Sequence, residues 1–430
     1  MMATDNLTRA RRTIDAVWRI ESAKIVAVLA RMLSGDIGLA EELAQDALVT
    51  ALEQWPDKGI PDNPGAWLMA TAKHRAIDRL RHGKLAEEKH AEIARELDEQ
   101  QEARADDLLA TLDDDIGDDL LRLMFTACHP LLSAEARLAL TLRLLGGLTT
   151  DEIARAFLVP EPTIAQRIVR AKRTLADANV PFELPRGEDR AARLASVLDV
   201  IYLIFNEGYA ATAGEDWMRP ALCEEALRLG RILAELAPGE AEVHGLVALM
   251  EIQASRLHAR TDRDGAPILL LEQNRAHWDW LLIERGIKAL ARAEKLGSQR
   301  GGYQLQAAIA ACHARARVAA DTDWVRIATL YAELAQVTPS PIVELNGAVA
   351  IGMAFGPAAG LELVERLGAE PALRNYHLLP SVRGDLLHKL GRFDEARGEF
   401  ERAAALTRNE RERKMLLERA ASCETPQTLQ

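Results

Sequence analysis

Cysteine is scarce. Four occur in 430 residues, at Cys128, Cys223, Cys312 and Cys423, and no two stand in a C-x-x-C pair. That spacing argues against both a disulfide framework and a thiolate zinc site. Aromatic residues make up only 4% of the chain, while Ala, Leu, Glu and Arg dominate, as in all-α proteins. No apolar run reaches the ~18 residues of a membrane span, and the opening MMATDNLTRARR lacks a signal-peptide core. A cytoplasmic protein with no membrane partner is expected. Also missing are a phosphate loop, a nucleophile motif and His or Asp at metal-ligand spacing. The sequence therefore points away from an enzyme and calls for no catalytic residue, metal or cofactor.

What is present is a chain that is 48% hydrophobic, enough for a sizeable core and two or three domains. Its formal net charge of −12 argues at first against a nucleic-acid partner. The charge is segregated, however. Between Leu85 and Asp119 there are fourteen acidic and three basic residues, with few large apolar ones. This segment reads as a solvated acidic connection with little to bury. Basic stretches lie on both sides of it.

The clearest local pattern runs from Thr149 to Leu175. Thr149 and Glu152 form a capping box, and Leu158-Val159-Pro160 stops a short first helix. Pro162 opens a second one, in which Ile164, Ile168, Ala171 and Leu175 make a single apolar stripe. At roughly 100° per residue, Thr163, Gln166, Arg170 and Arg173 face the other way, flanked by Arg167 and Lys172. From Thr163 to Leu175 there are four positive charges and no negative one. This is the pattern of a helix-turn-helix. Arg and Gln form bidentate bonds to base edges, and the extra cations hold phosphates.

Upstream, a helix with Ile14, Trp18, Ile25 and Leu29 in period ends at Ser34-Gly35. A second is predicted from Asp36 to Trp55, with Ala40, Leu43, Ala44, Ala47, Leu48, Ala51, Leu52 and Trp55 buried. Glu42, Gln45, Asp46 and Glu53 lie away from that stripe. Pro56 opens the loop PDKGIPDN, and Asn63 and Pro64 start a third helix that is expected to bury Trp67, Ala70, Ile77 and Leu80. Its outer side is expected to present Lys73, Arg75, Arg79 and Arg81. Between Asp62 and Lys84 five Lys or Arg stand against two Asp. A loop followed by a basic helix carrying an aromatic suits a strand backbone and unpaired bases. His74 lies on this helix without an acid or nucleophile to support catalysis.

Beyond residue 181 apolar stretches alternate with breaks at Pro238-Gly239, Asp264-Gly265, Gly301-Gly302 and Pro339-Ser340-Pro341, which predicts paired helices. In GDLLHKLGRFDEARGEFERAAAL, the residues Gly384, Leu387, Gly391, Phe393, Ala396, Phe400 and Ala403 resemble tetratricopeptide positions in order. A tetratricopeptide-like solenoid is expected. Within it FNEGYAA and EQNRAHWDW stand out, and Asn206, Glu207, His277, Trp278 and Trp280 are candidates for lining a groove.

The helix with AEELAQDALVTALEQWP, the segment NPGAWLMATAKHRAIDRLR and the helix-turn-helix, in that order, resemble bacterial RNA polymerase sigma factors. The extracytoplasmic-function type, which keeps only regions 2 and 4, is the nearest group. MFTACHPLLSAEARLALTLRLLGGLTTDEIARAFLVPEPTIAQRIVRAK further resembles a subgroup with a long helical extension. The resemblance implies an all-α protein with region 2 at 1–84, an acidic linker at 85–117, region 4 at 118–180 and a helical-repeat regulatory extension at 181–430. It implies core RNA polymerase and promoter DNA as partners. Glu42, Gln45 and Asp46 would meet polymerase. Lys58, Asp62, Asn63, Trp67, Lys73, Arg75 and Arg79 would face the −10 element. Thr163, Gln166, Arg167, Arg170, Lys172 and Arg173 would read the −35 element. The extension would bind an unknown partner or fold back within the chain. The recognition helix departs from the usual pattern of a small residue, Val and Ser before Arg. The alternative is a free-standing helix-turn-helix regulator whose repeat domain senses a ligand or partner.

Overall fold

The computed structural model describes residues 2–88, 116–297 and 299–423. Most of the expected acidic linker, residues 89–115, lies outside the described residues. Among the described residues every regular element is a helix, apart from isolated bridges between Gly214 and Asn409 and between Thr261 and Pro267. None of these helices is long and apolar enough to cross a membrane. The chain divides into two compact units, Met1–Val200 and Ile201–Gln430.

The first unit begins with α1 (Met2–Met32), α2 (Ile37–Lys58) and α3 (Pro64–Glu88), each packed on the other two. Ser34 and Gly35 turn the chain with positive φ, and the Asp36 side chain then accepts the Leu39 amide at 2.9 Å to start α2. Asn63 does the same for α3, accepting from Ala66 at 3.1 Å. Leu52, expected in the buried stripe of α2, is 40% exposed, and two further details differ from the sequence pattern. First, α2 runs past Pro56 to Lys58 instead of stopping at Trp55. A proline in the last turn forfeits a single backbone bond, and the buried Trp55 anchors that turn in the core. Second, α3 buries Leu68, Ala72 and Ala76, leaving Ala70 and Leu80 exposed. Its inner face is set by two partner helices, and the alanines allow close approach.

Four helices complete the unit: α4 (Ile116–Ala127), α5 (Ala134–Leu144), α6 (Thr150–Phe157) and α7 (Glu161–Asp177). The next helix, α8 (Gly187–Tyr209), starts in this unit. Arg193 Nη2 donates to the Phe125 carbonyl at 2.9 Å, and Ser196 Oγ to that of Cys128 at 2.6 Å. The compact unit therefore ends near residue 200, where the sequence pattern places a boundary at 181.

The second unit continues with α9 (Pro220–Leu236), α10 (Ala241–Ala254), α11 (Trp280–Leu296), α12 (Gly302–Arg315), α13 (Trp324–Val337), α14 (Pro341–Phe355), α15 (Pro357–Leu367), α16 (Leu378–Lys389), α17 (Phe393–Leu406) and α18 (Glu410–Ser422). Most pack on their neighbours in sequence, as in a helical-repeat array. Gly384 of α16 faces the Phe400 ring, where an added Cβ would stand 2.9 Å from ring carbons. Unlike an open solenoid, this array closes. Asn409 caps α18 by accepting from Glu412 N at 3.1 Å, while its amide donates to the carbonyls of Ala211 and Asp216 at 3.1 and 2.8 Å. Glu410 N donates to Gly214 O at 3.1 Å. Asn409→Ala removes a cap and leaves the buried Ala211 carbonyl unpaired, so a loss of about 2–4 kcal/mol is expected. Urea unfolding of this unit checks it. Asn409→Asp, which keeps the cap and loses the donor, should fall between the two.

Candidate nucleic-acid interface

The helix-turn-helix is built by local rules. Thr149 Oγ1 accepts from Glu152 N at 3.1 Å, and Glu152 Oε2 accepts from Thr149 N at 2.8 Å, so the capping box is complete. Leu158 closes α6 in the left-handed region at φ 51°. Pro160 and Pro162 set the first turn of α7, and its buried residues are Ile164, Ile168, Ala171 and Leu175. That stripe anchors the helix and turns Gln166, Arg170 and Arg173 to solvent, with Thr163 and Arg167 half-buried. Gln166 and Arg170 are without a hydrogen-bond partner among the described residues, and Arg173 pairs with Asp177 at 3.4 Å across an exposed surface. The sequence pattern overlooked Val169. It is 64% exposed between Gln166 and Arg173, and an apolar side chain in such a face suits a thymine methyl. Its signal was legible: an apolar residue that falls off the buried stripe.

Lys172 is placed differently from the rest. Its ammonium, with Arg143 Nε at 2.6 Å, holds the buried carboxylate of Glu41 on α2. Gln45 Nε2 adds a third bond to Glu41 at 2.8 Å. Burial pushes the Glu41 carboxyl up, but Lys172 and Arg143 outweigh that and hold it below the usual carboxylate range. Glu41 was missed in the sequence because it borders the apolar stripe. A carboxylate in that position demands a partner.

The basic face of α3 is narrower than its composition implies. Lys58, Asp62, Asn63 and Arg79 are exposed, as are His74 and His82. Trp67 is half-buried, edge-on to Trp55 with ring centroids 5.4 Å apart. Lys73, expected to point outward, is only 4% exposed. Arg75 turns back onto α2, donating to Thr50 Oγ1 at 2.7 Å and Asp46 Oδ2 at 3.3 Å. Of the three residues expected to meet polymerase, Gln45 and Asp46 thus already hold partners inside the unit, and Glu42 projects into solvent.

Comparison with known proteins matches these two assemblies separately. Residues 21–85 match sigma-70 region 2, and residues 122–175 match sigma-70 region 4. The chain is a sigma factor of the extracytoplasmic-function type. It is 44% identical over 377 residues to an uncharacterised protein of Rhizobium meliloti, covering 87% of each chain, and belongs to one family with it. It is 25% identical over 206 residues to a protein of Mycobacterium tuberculosis named a probable ECF RNA polymerase sigma factor, SigI. That match covers 46% of this chain and 68% of the relative. Residues 193–294 match a family of unknown function, DUF6596.

Within that last segment the sigma factor does not gather its candidate groove residues. Asn206 and His277 are exposed, and Glu207 is paired with Arg219 and Thr212. Trp278 is 3% exposed and Trp280 53%, so they face opposite ways. Trp278 belongs instead to an alternating stack of guanidiniums and rings. Arg260 lies 5.6 Å from the Trp217 centroid and 3.5 Å from that of Tyr209. Arg256 lies 5.8 Å from Tyr209 and 5.7 Å from Trp278, and Arg275 is 4.9 Å from Trp278 on its own account. Arg275 Nη1 also donates to the carbonyls of His313 and Ala316, each at 2.6 Å, at the end of α12. Aromatic faces and helix-end carbonyls compensate these buried cations. Burial, then Arg256 and Arg275, pushes His313 down to about 4, so it is neutral there.

No group of three or more His, Cys, Asp or Glu among the described residues is placed to hold a metal ion. Burial pushes the Cys128 thiol up to about 11 and the Cys223 thiol up to about 12, so neither is a thiolate at neutral pH.

Proposed function

We propose that this sigma factor directs core RNA polymerase to promoters carrying matched −10 and −35 elements. Reading of the −35 element falls to Gln166, Val169, Arg170 and Arg173, with Thr163 and Arg167 positioning the helix on phosphates and Lys172 fastening it to Glu41 of α2. Reading of the −10 element falls to the loop 57–63 with Lys58, Asp62 and Asn63, and to Trp67 and Arg79 on α3. Lys73 and Arg75 serve that face from within, by shaping α3 against α2. Core polymerase docks along α2, with Glu42, Gln45 and Asp46 as contacts. The second unit acts as a tetratricopeptide-like module that modulates initiation, in the cytoplasm where polymerase and promoter DNA are found.

The observation that carries this reading is the outward face of α7, cationic and uncommitted at Arg170 while its opposite stripe is fully buried. The overall charge of −12 fits it too. An acidic chain binds duplex weakly by itself, whereas polymerase presents both elements together and raises the effective concentration of the second. The test is in vitro transcription from the promoter upstream of its own operon, with purified core polymerase. Transcripts that require the protein, together with co-elution with core on gel filtration, are expected. Tight duplex binding without polymerase and no co-elution would replace this reading with a free-standing regulator.

A further inference from the structure

Three arginines of the second unit are buried without a carboxylate. Arg256, Arg260 and Arg275 are 8, 7 and 6% exposed, and none of them forms an ion pair among the described residues. Other arginines of this unit do find one: Arg231 meets Glu251 at 2.8 Å, Arg383 meets Glu399 at 2.7 Å and Arg419 meets Asp385 at 2.5 Å. The acids close in sequence are committed elsewhere or lie in solvent. Glu251 is turned to Arg231, Glu207 to Arg219, and Asp279 caps α11 by accepting from Leu281 and Leu282. Asp262 closes its own turn by accepting from Asp264 and Ala266. Asp264, Glu272 and Asp321 are exposed, and Asp321 acts on Arg275 from beyond ion-pair distance.

The same arginines crowd one another. Arg256 and Arg275 approach one ring, Trp278, and Arg256 and Arg260 another, Tyr209. Rings and carbonyls soften this charge but carry no charge of opposite sign. Its strength shows at His313, held at about 4 by burial together with Arg256 and Arg275. Donors are also left over: Arg256 Nε, Arg275 Nε and Trp278 Nε1 are buried without a hydrogen-bond partner, as is His313 Nδ1. Buried polar groups are normally paired, and packing alone would be served at lower cost by neutral side chains. Guanidinium and indole N–H groups together are a donor set for an oxygen anion. We propose that the second unit binds a small oxyanion, a carboxylate or phosphate carried by a small molecule, at Arg256, Arg275 and the Trp278 indole. The two segments that stand out in the sequence, FNEGYAA and EQNRAHWDW, supply Tyr209, Arg275 and Trp278 to it. The ligand ties together the end of α10, the loop before α11 and the end of α12, where Arg275 already holds the His313 and Ala316 carbonyls. Modulation by this unit then has a chemical input, and the binding step does not depend on promoter reading.

The test titrates the full chain with sodium phosphate and with sodium malonate, against sodium chloride at matched ionic strength, by calorimetry and peptide-level hydrogen exchange. Saturable binding of at least one oxyanion is expected. Protection should rise over residues 253–260, 273–279 and 311–318, and chloride should not reproduce it. The two arms tell a phosphate site from a carboxylate site. Arg256→Gln removes a guanidinium whose side-chain partner is Gln253, and should weaken binding by roughly ten- to hundredfold, the loss of a charge-assisted hydrogen bond. Arg256→Lys keeps the charge and should fall between that variant and wild type. Arg285→Gln, at an exposed position of α11, should bind as wild type does. Without anion, Arg256→Gln should leave exchange in the second unit as slow as in wild type or slower, because it relieves a buried repulsion. Faster exchange there, no binding of either oxyanion, equal protection by chloride, or undiminished affinity in Arg256→Gln would overturn the proposal and leave these arginines a structural role.

Discussion

Asp119→Ala is expected to destabilise the first unit by about 3–5 kcal/mol, the cost of breaking a buried ion pair from one side. Asp119 is fully buried, with Arg122 Nη1 at 2.6 Å and Arg31 Nε at 3.0 Å. The alanine removes a buried charge shared by two guanidiniums. Asp119→Asn keeps the shape and some hydrogen bonding, so a smaller loss is expected. Because the chain has two compact units, a single melting temperature is not the right measure. Hydrogen exchange followed peptide by peptide should show loss of protection confined to residues 2–200. A change below about 1 kcal/mol would mean that the seam between α1 and α4 relaxes readily around the missing carboxylate.

Arg170→Ala is expected to lower −35-dependent transcription by roughly 5- to 150-fold, the equivalent of about 1–3 kcal/mol for a bidentate base contact. Core binding should be unchanged, since Arg170 is exposed on α7 and has no partner within the unit. Arg170→Lys should not rescue, because an ammonium cannot reproduce the planar fork. Promoter variants at the contacted base should respond to wild type and not to Arg170→Ala. Equal transcription by wild type and variant on matched promoters would remove Arg170 from the reading face. Arg173, already paired with Asp177 across an exposed surface, should have a smaller effect.

The sequence by itself determined every feature whose cause is local. The capping box of Thr149 and Glu152, the stops at Leu158 and Gly35, and the buried stripe of α7 all follow from neighbours within about one or two turns, and each is present in the structure. So is the cap of Asn63. The all-α character and the breaks between helices of the second unit follow from the same short-range signals. Tertiary structure decided what each side chain meets across long sequence separations. Lys73 is buried and Arg75 turned inward because α3 packs on two helices, so its inner face is wider than one apolar stripe. Glu41 is a hub because Arg143 and Lys172, more than a hundred residues later, converge on it. Trp278 and Trp280, two residues apart, differ because one fills a gap between arginines and the other starts an exposed turn of α11. Asn409 closes the helical array because its amide finds two carbonyls near residue 214. Periodicity states which side of a helix prefers burial. Which partner arrives there, and whether a charge on that side is paired or left to solvent, depends on helices that periodicity does not describe.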